Sequence, residues 1–174
     1  MLEAVRDLVA RDGYDALRYD DVAEHAGVHK TTVYRRWPDK AELVAESVGF
    51  HAAEAIPLPD TGSLSEDLAQ LATAVAANLA TGAGGGLARA VVAASAGSPE
   101  LAERVHTFMR RRIEQAEALV DRAKQRGEIP ETADSKLVVE GVVGPIWFRF
   151  LLTGEPVDPS FARAAARQVA SGLL

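Results

Sequence analysis

The side chains best suited to chemistry lie in residues 27–40, where a turn glycine, a short basic helix and a proline follow one another. Residues 28–40 carry four cations and one acid, a local charge of +3 in a chain whose net charge is −6. Cations and hydroxyls on an exposed helix bind phosphates and base edges in the major groove of DNA. The segment therefore predicts a local nucleic-acid contact, and no nucleophile elbow or paired-carboxylate motif in the sequence competes with it.

Neighbouring helices are predicted to position this segment. Ala23 and Gly27 are small enough for two helices to cross closely, as in a helix-turn-helix, whose second helix lies in the major groove. Val33 and Trp37, four residues apart, form the predicted buried side of that second helix, and Pro38 ends it. The alternative is an amphipathic helix with a merely solvated basic face, which leaves the joint spacing of turn, helix, aromatic residue and proline unexplained.

Apolar residues recur at helical spacing along the whole chain, and no segment shows the alternation of a strand. Asp39 and Asp158 are predicted N-caps, residues 82–86 a flexible glycine-rich link, and residues 110–112 a solvated basic face. The predicted helices span residues 2–12, 20–26, 30–36, 40–55, 64–80, 85–96, 99–126, 133–153 and 159–174.

Composition limits the compartment and the cofactors. The 174 residues include no cysteine, which excludes disulfides and thiolate metal sites and suits a reducing compartment. Residues 1–12 lack the apolar core of a signal peptide, and the longest apolar run, residues 137–152, is interrupted by two charged residues and a Gly-Pro pair. We therefore expect a cytoplasmic protein with no membrane span, no metal and no cofactor.

Several short motifs within the first 45 residues fit one known pattern. They are Gly13-Tyr14, Asp21-Val22-Ala23, Ala26-Gly27-Val28, Thr32-Val33-Tyr34-Arg35 and Trp37-Pro38-Asp39-Lys40-Ala41-Glu42-Leu43. This set resembles the DNA-binding domain of the TetR family of bacterial regulators. The resemblance implies an all-helical homodimer that is no enzyme, represses transcription from a double-stranded, pseudo-palindromic operator, and leaves that operator when a small molecule binds. Its two recognition helices would lie about 34–36 Å apart.

The resemblance also implies roles for individual side chains. The base-contacting positions of the family fall on residues 30–32 and Tyr34, and its phosphate contacts fall on Tyr34, Arg35 and Lys40. Arg18 stands where the family commonly has a Thr or Ser cap, and His29 stands where its third helix usually begins with Ser or Thr. We expect Arg18 to hold a phosphate by charge and His29 to cap weakly or touch a base edge. The predicted DNA-binding residues are Arg18, His29, Lys30, Thr31, Thr32, Tyr34, Arg35 and Lys40.

The expected fold is all-α: an N-terminal three-helix helix-turn-helix domain, residues 1–45, and a larger helical domain for ligand binding and dimerisation, residues 46–174. The fourth helix and residues 56–63 form the predicted connector. The candidate ligand pocket consists of large apolar residues, which an ordinary core also contains: Leu79, Val92, Phe108, Met109, Ile113, Trp147, Phe148 and Phe150. The candidate dimer interface combines small and apolar residues on the last two helices, which would otherwise complete a monomer core: Val142, Ile146, Phe161, Ala165, Val169 and Gly172.

Two alternatives remain open at this level. A helical small-molecule-binding or enzymatic domain with an incidental basic helix would have much the same composition. Activation, or repression that responds to no ligand, would use the same DNA-binding domain. The sequence names neither an operator nor an effector.

Overall fold

The computed structural model describes residues 1–173, which form nine α-helices, one π-helical turn and no strand. The helices are α1 (Leu2–Asp12), α2 (Tyr19–Ala26), α3 (Lys30–Arg36), α4 (Lys40–Ala55), α5 (Leu64–Ala80), α6 (Gly82–Ser95), α7 (Pro99–Gln125), α8 (Ser135–Phe148) and α9 (Pro159–Ser171), and the π-helical turn (Arg149–Thr153) follows α8 directly. The all-α class predicted from the sequence is confirmed, with an N-terminal helix-turn-helix and a larger helical region after it.

The described residues divide into two compact units. Unit 1 contains residues 1–54 and 81–109, and unit 2 contains residues 55–80 and 110–173. Helices α4 and α6 and the first part of α7 thus pack with the three N-terminal helices, although the sequence placed the domain boundary after residue 45.

The core of unit 1 is mostly aliphatic, includes Trp37, and draws on α1, α2, α3, α4, α6 and α7. Helix α2 ends at Gly27, whose φ of +65° is strained for any residue with a side chain. Here the amide of Val28 donates to the carbonyl of Ala23, and the amide of Gly27 donates to the carbonyl of Glu24. This pair of hydrogen bonds is a Schellman motif, which turns the chain into α3 at a fixed angle.

The glycine-rich stretch after α5 is helical, so the prediction of a flexible link at residues 82–86 is wrong. The hydroxyl of Thr81 accepts a hydrogen bond from the amide of Gly84 and caps α6 one turn earlier than expected. A Cβ on Gly86 would stand 3.0 Å from the Ala10 Cβ and 3.1 Å from its carbonyl oxygen. Glycine is therefore required there because α1 and α6 pack almost backbone to backbone.

Unit 2 is built on α5, which packs against α8 and α9. Helix α8 contains Pro145 and passes into the π-helical turn, where the amide of Gly154 donates to the carbonyl of Arg149. The predicted caps are confirmed: carboxylate oxygens of Asp39 and Asp158 accept from the amides of Ala41 and Phe161, at the starts of α4 and α9. Among residues 1–173 no single helix has the length and hydropathy to cross a membrane; the consecutive helices α5 and α6 reach these limits only as a sharply bent pair, by length and composition alone.

Candidate nucleic-acid interface

Helix α3 presents a polar, cationic face to solvent. Its inward side is Val33, which is 0% exposed, and Trp37 closes its C-terminus at 2% exposed. Both residues were predicted to be buried. On the opposite side Lys30, Thr31 and Arg35 are exposed, Tyr34 is 50% exposed, and Thr32 is half-buried. One side of this short helix thus packs into the core, and the hydroxyls and cations of the other side are accessible to solvent.

Glu46 fixes the end of α3 to α4, a role that the sequence did not reveal. One carboxylate oxygen accepts from the Trp37 Nε1 at 2.6 Å, and the other accepts from Arg36 at 3.0 Å. Partial burial alone would raise the pKa of Glu46, but these two hydrogen bonds and the charge of Arg36 outweigh it and hold that pKa below its ordinary value. The ionised carboxylate therefore orients the helix that carries the exposed cations.

The ring of Tyr34 lies on the ring of Tyr19. The two centroids are 4.3 Å apart and the planes differ by 12°, so the first residue of α2 stacks on the middle of α3. Burial raises the pKa of Tyr19, and its hydroxyl is shielded from solvent with no hydrogen-bond partner. The stack limits the directions in which the Tyr34 hydroxyl can point.

Lys40, a predicted phosphate contact, bridges elements within unit 1. Its ammonium group lies 3.2 Å from the carbonyl oxygen of Tyr14 and 3.4 Å from that of Asp15, and 4.5 Å from the centroid of the Tyr14 ring. The neighbouring cap, Asp39, also accepts from Arg104 on α7 at 2.9 Å. The start of α4 is therefore tied to both the loop before α2 and to α7.

The remaining predicted DNA-binding residues lie at helix starts. Arg18 precedes α2 and His29 precedes α3; both are exposed and neither side chain caps its helix. The ammonium group of Lys30 is 3.7 Å from Asp20, and both side chains are largely in solvent, so the pair is weak and readily exchanged for a phosphate. All eight predicted residues thus lie on α3 or at the N-terminal ends of α2, α3 and α4.

The candidate pocket residues are distributed over both units. In unit 1, Phe108 and Met109 are half-buried, and Val92 is exposed. The unit 2 members are Leu79 and Phe150, which are buried, Ile113 and Trp147, which are half-buried, and Phe148, which is exposed. Trp147 and Phe150 form an edge-to-face pair with centroids 5.9 Å apart. A ligand site made from this set stays a prediction.

The candidate dimer residues have contrasting exposures. Val142 and Ile146 are 0% exposed, so their own chain already encloses their side chains. Phe161 lies beneath the guanidinium of Arg149, 3.5 Å from it, and Ala165 and Val169 are half-buried, while Gly172 is exposed. The large apolar side chains that α8 and the π-helical turn do expose are Leu137, Phe148, Leu151 and Leu152.

A short helix with exposed cations, set by a glycine turn against a preceding helix, defines a helix-turn-helix DNA-binding protein. Family models agree: the model for bacterial regulatory proteins of the tetR family matches residues 1–47, and the tetracyclin repressor-like C-terminal domain matches residues 58–169. The chain belongs to the TetR family and is a DNA-binding transcriptional regulator.

Individual relatives span nearly the whole chain. It is 34% identical to YdeS of Bacillus subtilis strain 168, an uncharacterized HTH-type transcriptional regulator, over 99% of this chain and 87% of that protein. It is 32% identical to the HTH-type transcriptional regulator AqdR of Rhodococcus erythropolis, over 99% of this chain and 83% of that protein. The crystal structure of the TetR family transcription regulator SCO0332 superposes with a TM-score of 0.83 at 27% identity, covering 99% of this chain and 96% of that one.

Proposed function

We propose that this regulator is a non-enzymatic, cytoplasmic repressor that binds a pseudo-palindromic operator as a homodimer and leaves it when a small molecule binds. One observation carries the proposal. The exposed face of α3 holds cations and hydroxyls, while Val33 and Trp37 anchor the opposite side in the core. This arrangement supports insertion of α3 into the major groove without any rearrangement of the fold.

The exposed side chains divide by the kind of contact that they offer. Lys30, Thr31 and Thr32 begin α3 and are proposed to meet base edges, because the N-terminal residues of a recognition helix lie deepest in the groove. Tyr34 and Arg35 follow and are proposed to bind phosphates. Lys40 uses two of its three ammonium donors on backbone carbonyls, which leaves one donor for a phosphate. Arg18 and His29 flank this set.

A second copy of the chain is proposed to cover the apolar surface of α8. Leu137 is 63% exposed, Phe148 is 56% exposed and Leu152, in the π-helical turn, is 74% exposed. Large apolar side chains in solvent usually mark an interface, and self-association pairs two recognition helices with two half-sites. The exposed parts of α9, Gly172 among them, would extend this surface.

The ligand response requires two conformations of the dimer with different affinities for a small molecule. An effector that binds better to the conformation with the wrong spacing of recognition helices lowers the affinity for the operator by the same factor. The proposed site of that effector consists of the candidate pocket residues that lie in unit 2: Leu79, Ile113, Trp147, Phe148 and Phe150.

Binding-site selection on random double-stranded DNA tests the proposal, followed by a small-molecule screen for loss of the selected complex. We expect enrichment of an inverted repeat. Lys30→Ala and Thr32→Ala should change which bases are enriched, whereas Tyr34→Ala and Lys40→Ala should weaken binding to every sequence. Arg89→Ala, which removes an exposed cation on α6, is the matched control and should leave the selected sequence unchanged. Selection of no common sequence by the wild-type protein would contradict the proposal.

A further inference from the structure

Arg112 differs from the other arginines of its basic run. Arg110 and Arg111 are exposed, as the sequence predicted for all three residues, but Arg112 is half-buried. It lies four residues before Ala116 and seven before Leu119, both of which are buried, so it occupies the core-facing stripe of α7. A cationic group on such a stripe requires compensation for the water that it loses.

The partners of Arg112 are neutral. Its guanidinium donates to the backbone carbonyl of Ile56 at 2.7 Å and to the side-chain oxygen of Gln115 at 3.2 Å. Burial lowers its pKa, and no acidic group offsets the effect. A guanidinium has five N–H donors, so three remain without a protein acceptor.

The other half-buried cations of unit 2 each lie close to a carboxylate. Arg122 lies 3.2 Å from Asp60, Lys124 lies 3.6 Å from Asp121, and Arg149 lies 3.1 Å from Glu155. Within residues 55–80 and 110–173, Arg112 is thus the half-buried cation that has no carboxylate partner.

We propose that Arg112 binds the anionic group of the effector, a carboxylate or a phosphate monoester attached to an apolar body. The guanidinium fork matches both groups in a bidentate fashion, and the adjacent residue Ile113, a half-buried member of the candidate pocket, offers an apolar contact. This inference rests on the proposed ligand response, because it names the chemical class of the molecule that would release the operator.

Matched pairs of compounds test the inference on the full-length protein. The anions are octanoate, phenylbutanoate and octyl phosphate, and their neutral analogues are octanamide, phenylbutanamide and octanol. At about ten times its Kd, an anion that binds should raise the Tm of the wild-type protein by about 3 °C or more, and its analogue should not. A rise in Tm with the two carboxylates alone, or with octyl phosphate alone, shows which of the two anionic groups the site binds. If no anion exceeds its neutral analogue, the inference is overturned.

Substitutions then assign the effect to the side chain. Arg112→Met should weaken binding of the anion roughly 10- to 100-fold, the loss expected for a charge-assisted hydrogen bond, and Arg112→Lys should retain part of it. Arg111→Met, on the exposed side of the same helix, should bind as the wild type does. Equal losses in the Arg111 and Arg112 variants would overturn the inference, because a general surface-charge effect would explain them.

Two further readouts separate this inference from the proposed function. The Tm of ligand-free Arg112→Met should fall by no more than about 4 °C, because the variant loses the hydrogen bonds to Ile56 and Gln115 but no ion pair. A large fall would make Arg112 a structural tether of Ile56 and overturn the inference. The affinity of Arg112→Met for the operator, measured without ligand, should equal that of the wild type. If a neutral compound releases the operator regardless of Arg112, the proposed function stands and the inference fails. If anions bind through Arg112 without releasing the operator, Arg112 is an anion site but not the effector site, and the inference is overturned.

Discussion

Helices α3 and α8 both expose side chains that the fold does not need, and the chemistry of the two surfaces is opposite. The outer side of α3 carries Lys30, Tyr34 and Arg35, whereas α8 exposes Leu137 and Phe148. The first set suits a polyanion and the second suits an apolar protein surface. The same helical framework thus supports two contacts of different kinds, one in each compact unit.

The two helices also depend on their surroundings to different degrees. Helix α3 has seven residues, too few to be stable alone, so it relies on Val33, Trp37 and the hydrogen bonds to Glu46. Helix α8 has fourteen residues and buries a continuous stripe that includes Val142 and Ile146. Changes beneath α3 should therefore disturb the contact with DNA itself, while changes on the outer side of α8 should weaken DNA binding only through loss of the dimer.

The largest effect is expected from charges on the apolar surface of α8. The double substitution Phe148→Asp and Leu152→Asp should give a monomer in analytical ultracentrifugation, because two carboxylates at a dimer interface cannot be buried unpaired. Operator affinity should then fall by at least about 100-fold, since the second half-site no longer binds intramolecularly. Phe50→Asp places a charge on a similarly exposed aromatic residue in unit 1 and is the control. A double variant that stays dimeric would remove α8 from the interface.

A smaller effect is expected where α1 and α6 pack closely in unit 1. Gly86→Ala forces α1 and α6 apart, since the new Cβ would meet the backbone of Ala10, and should lower the free energy of unfolding by roughly 1–3 kcal/mol in urea titrations. Gly82→Ala, at the start of the same helix, meets nothing within 4 Å and should be neutral or gain at most about 1 kcal/mol. Equal stabilities of the two variants would refute the close approach of the helices.

The cationic side of α3 is tested by Arg35→Ala. Loss of one phosphate contact in each of the two subunits should weaken operator binding roughly 10-fold and make the plot of log K against log salt shallower by about 1.8. Fluorescence anisotropy at several salt concentrations measures both quantities. Arg89→Ala, on α6, should change neither. A wild-type salt slope in the Arg35 variant would show that this cation does not meet a phosphate.

The smallest effect concerns the carboxylate that holds α3 on α4. The pKa of Glu46 in the folded protein lies below its ordinary value of 4.5, so its stabilisation is complete above that pH and is lost as the pH falls through the lowered pKa. The Tm difference between wild type and Glu46→Gln should therefore be largest near neutral pH and shrink as the pH falls below 4.5. Because this side chain is 40% exposed, the difference should correspond to less than about 1 kcal/mol.

Glu42→Gln, elsewhere on α4, serves as the reference for general effects of acid on this helix. A gap between wild type and Glu46→Gln that does not change with pH would mean that the carboxylate contributes no ionic stabilisation to the end of α3.

Local signals in the sequence were sufficient for most of the fold. The buried side of α3 followed from the four-residue spacing of Val33 and Trp37, and the caps at Asp39 and Asp158 followed from residue type and position. The error at residues 82–86 has a physical cause: glycine has a low helix propensity, but close packing on Ala10 requires it inside α6.

Contacts between residues distant in the sequence were not predictable. Tyr19 and Tyr34 are stacked across two helices, and Glu46 reaches back to Trp37. Nothing in the local pattern of either segment signals these pairs. Likewise, the apolar residues of α8 surround the helix, so periodicity alone did not show that Phe148 would face solvent while Ile146 would be enclosed.

Hydroxyl-radical footprinting of the selected operator tests the central claim most directly. Two copies of α3 in adjacent major grooves should protect two segments related by two-fold symmetry, with centres about 10–10.5 base pairs, or a multiple of that spacing, apart. The Phe148→Asp and Leu152→Asp variant should lose both protections together at concentrations that saturate the wild type. Protection of one segment alone by the wild-type protein, or a pattern with no symmetry, would contradict a dimer that binds DNA through α3.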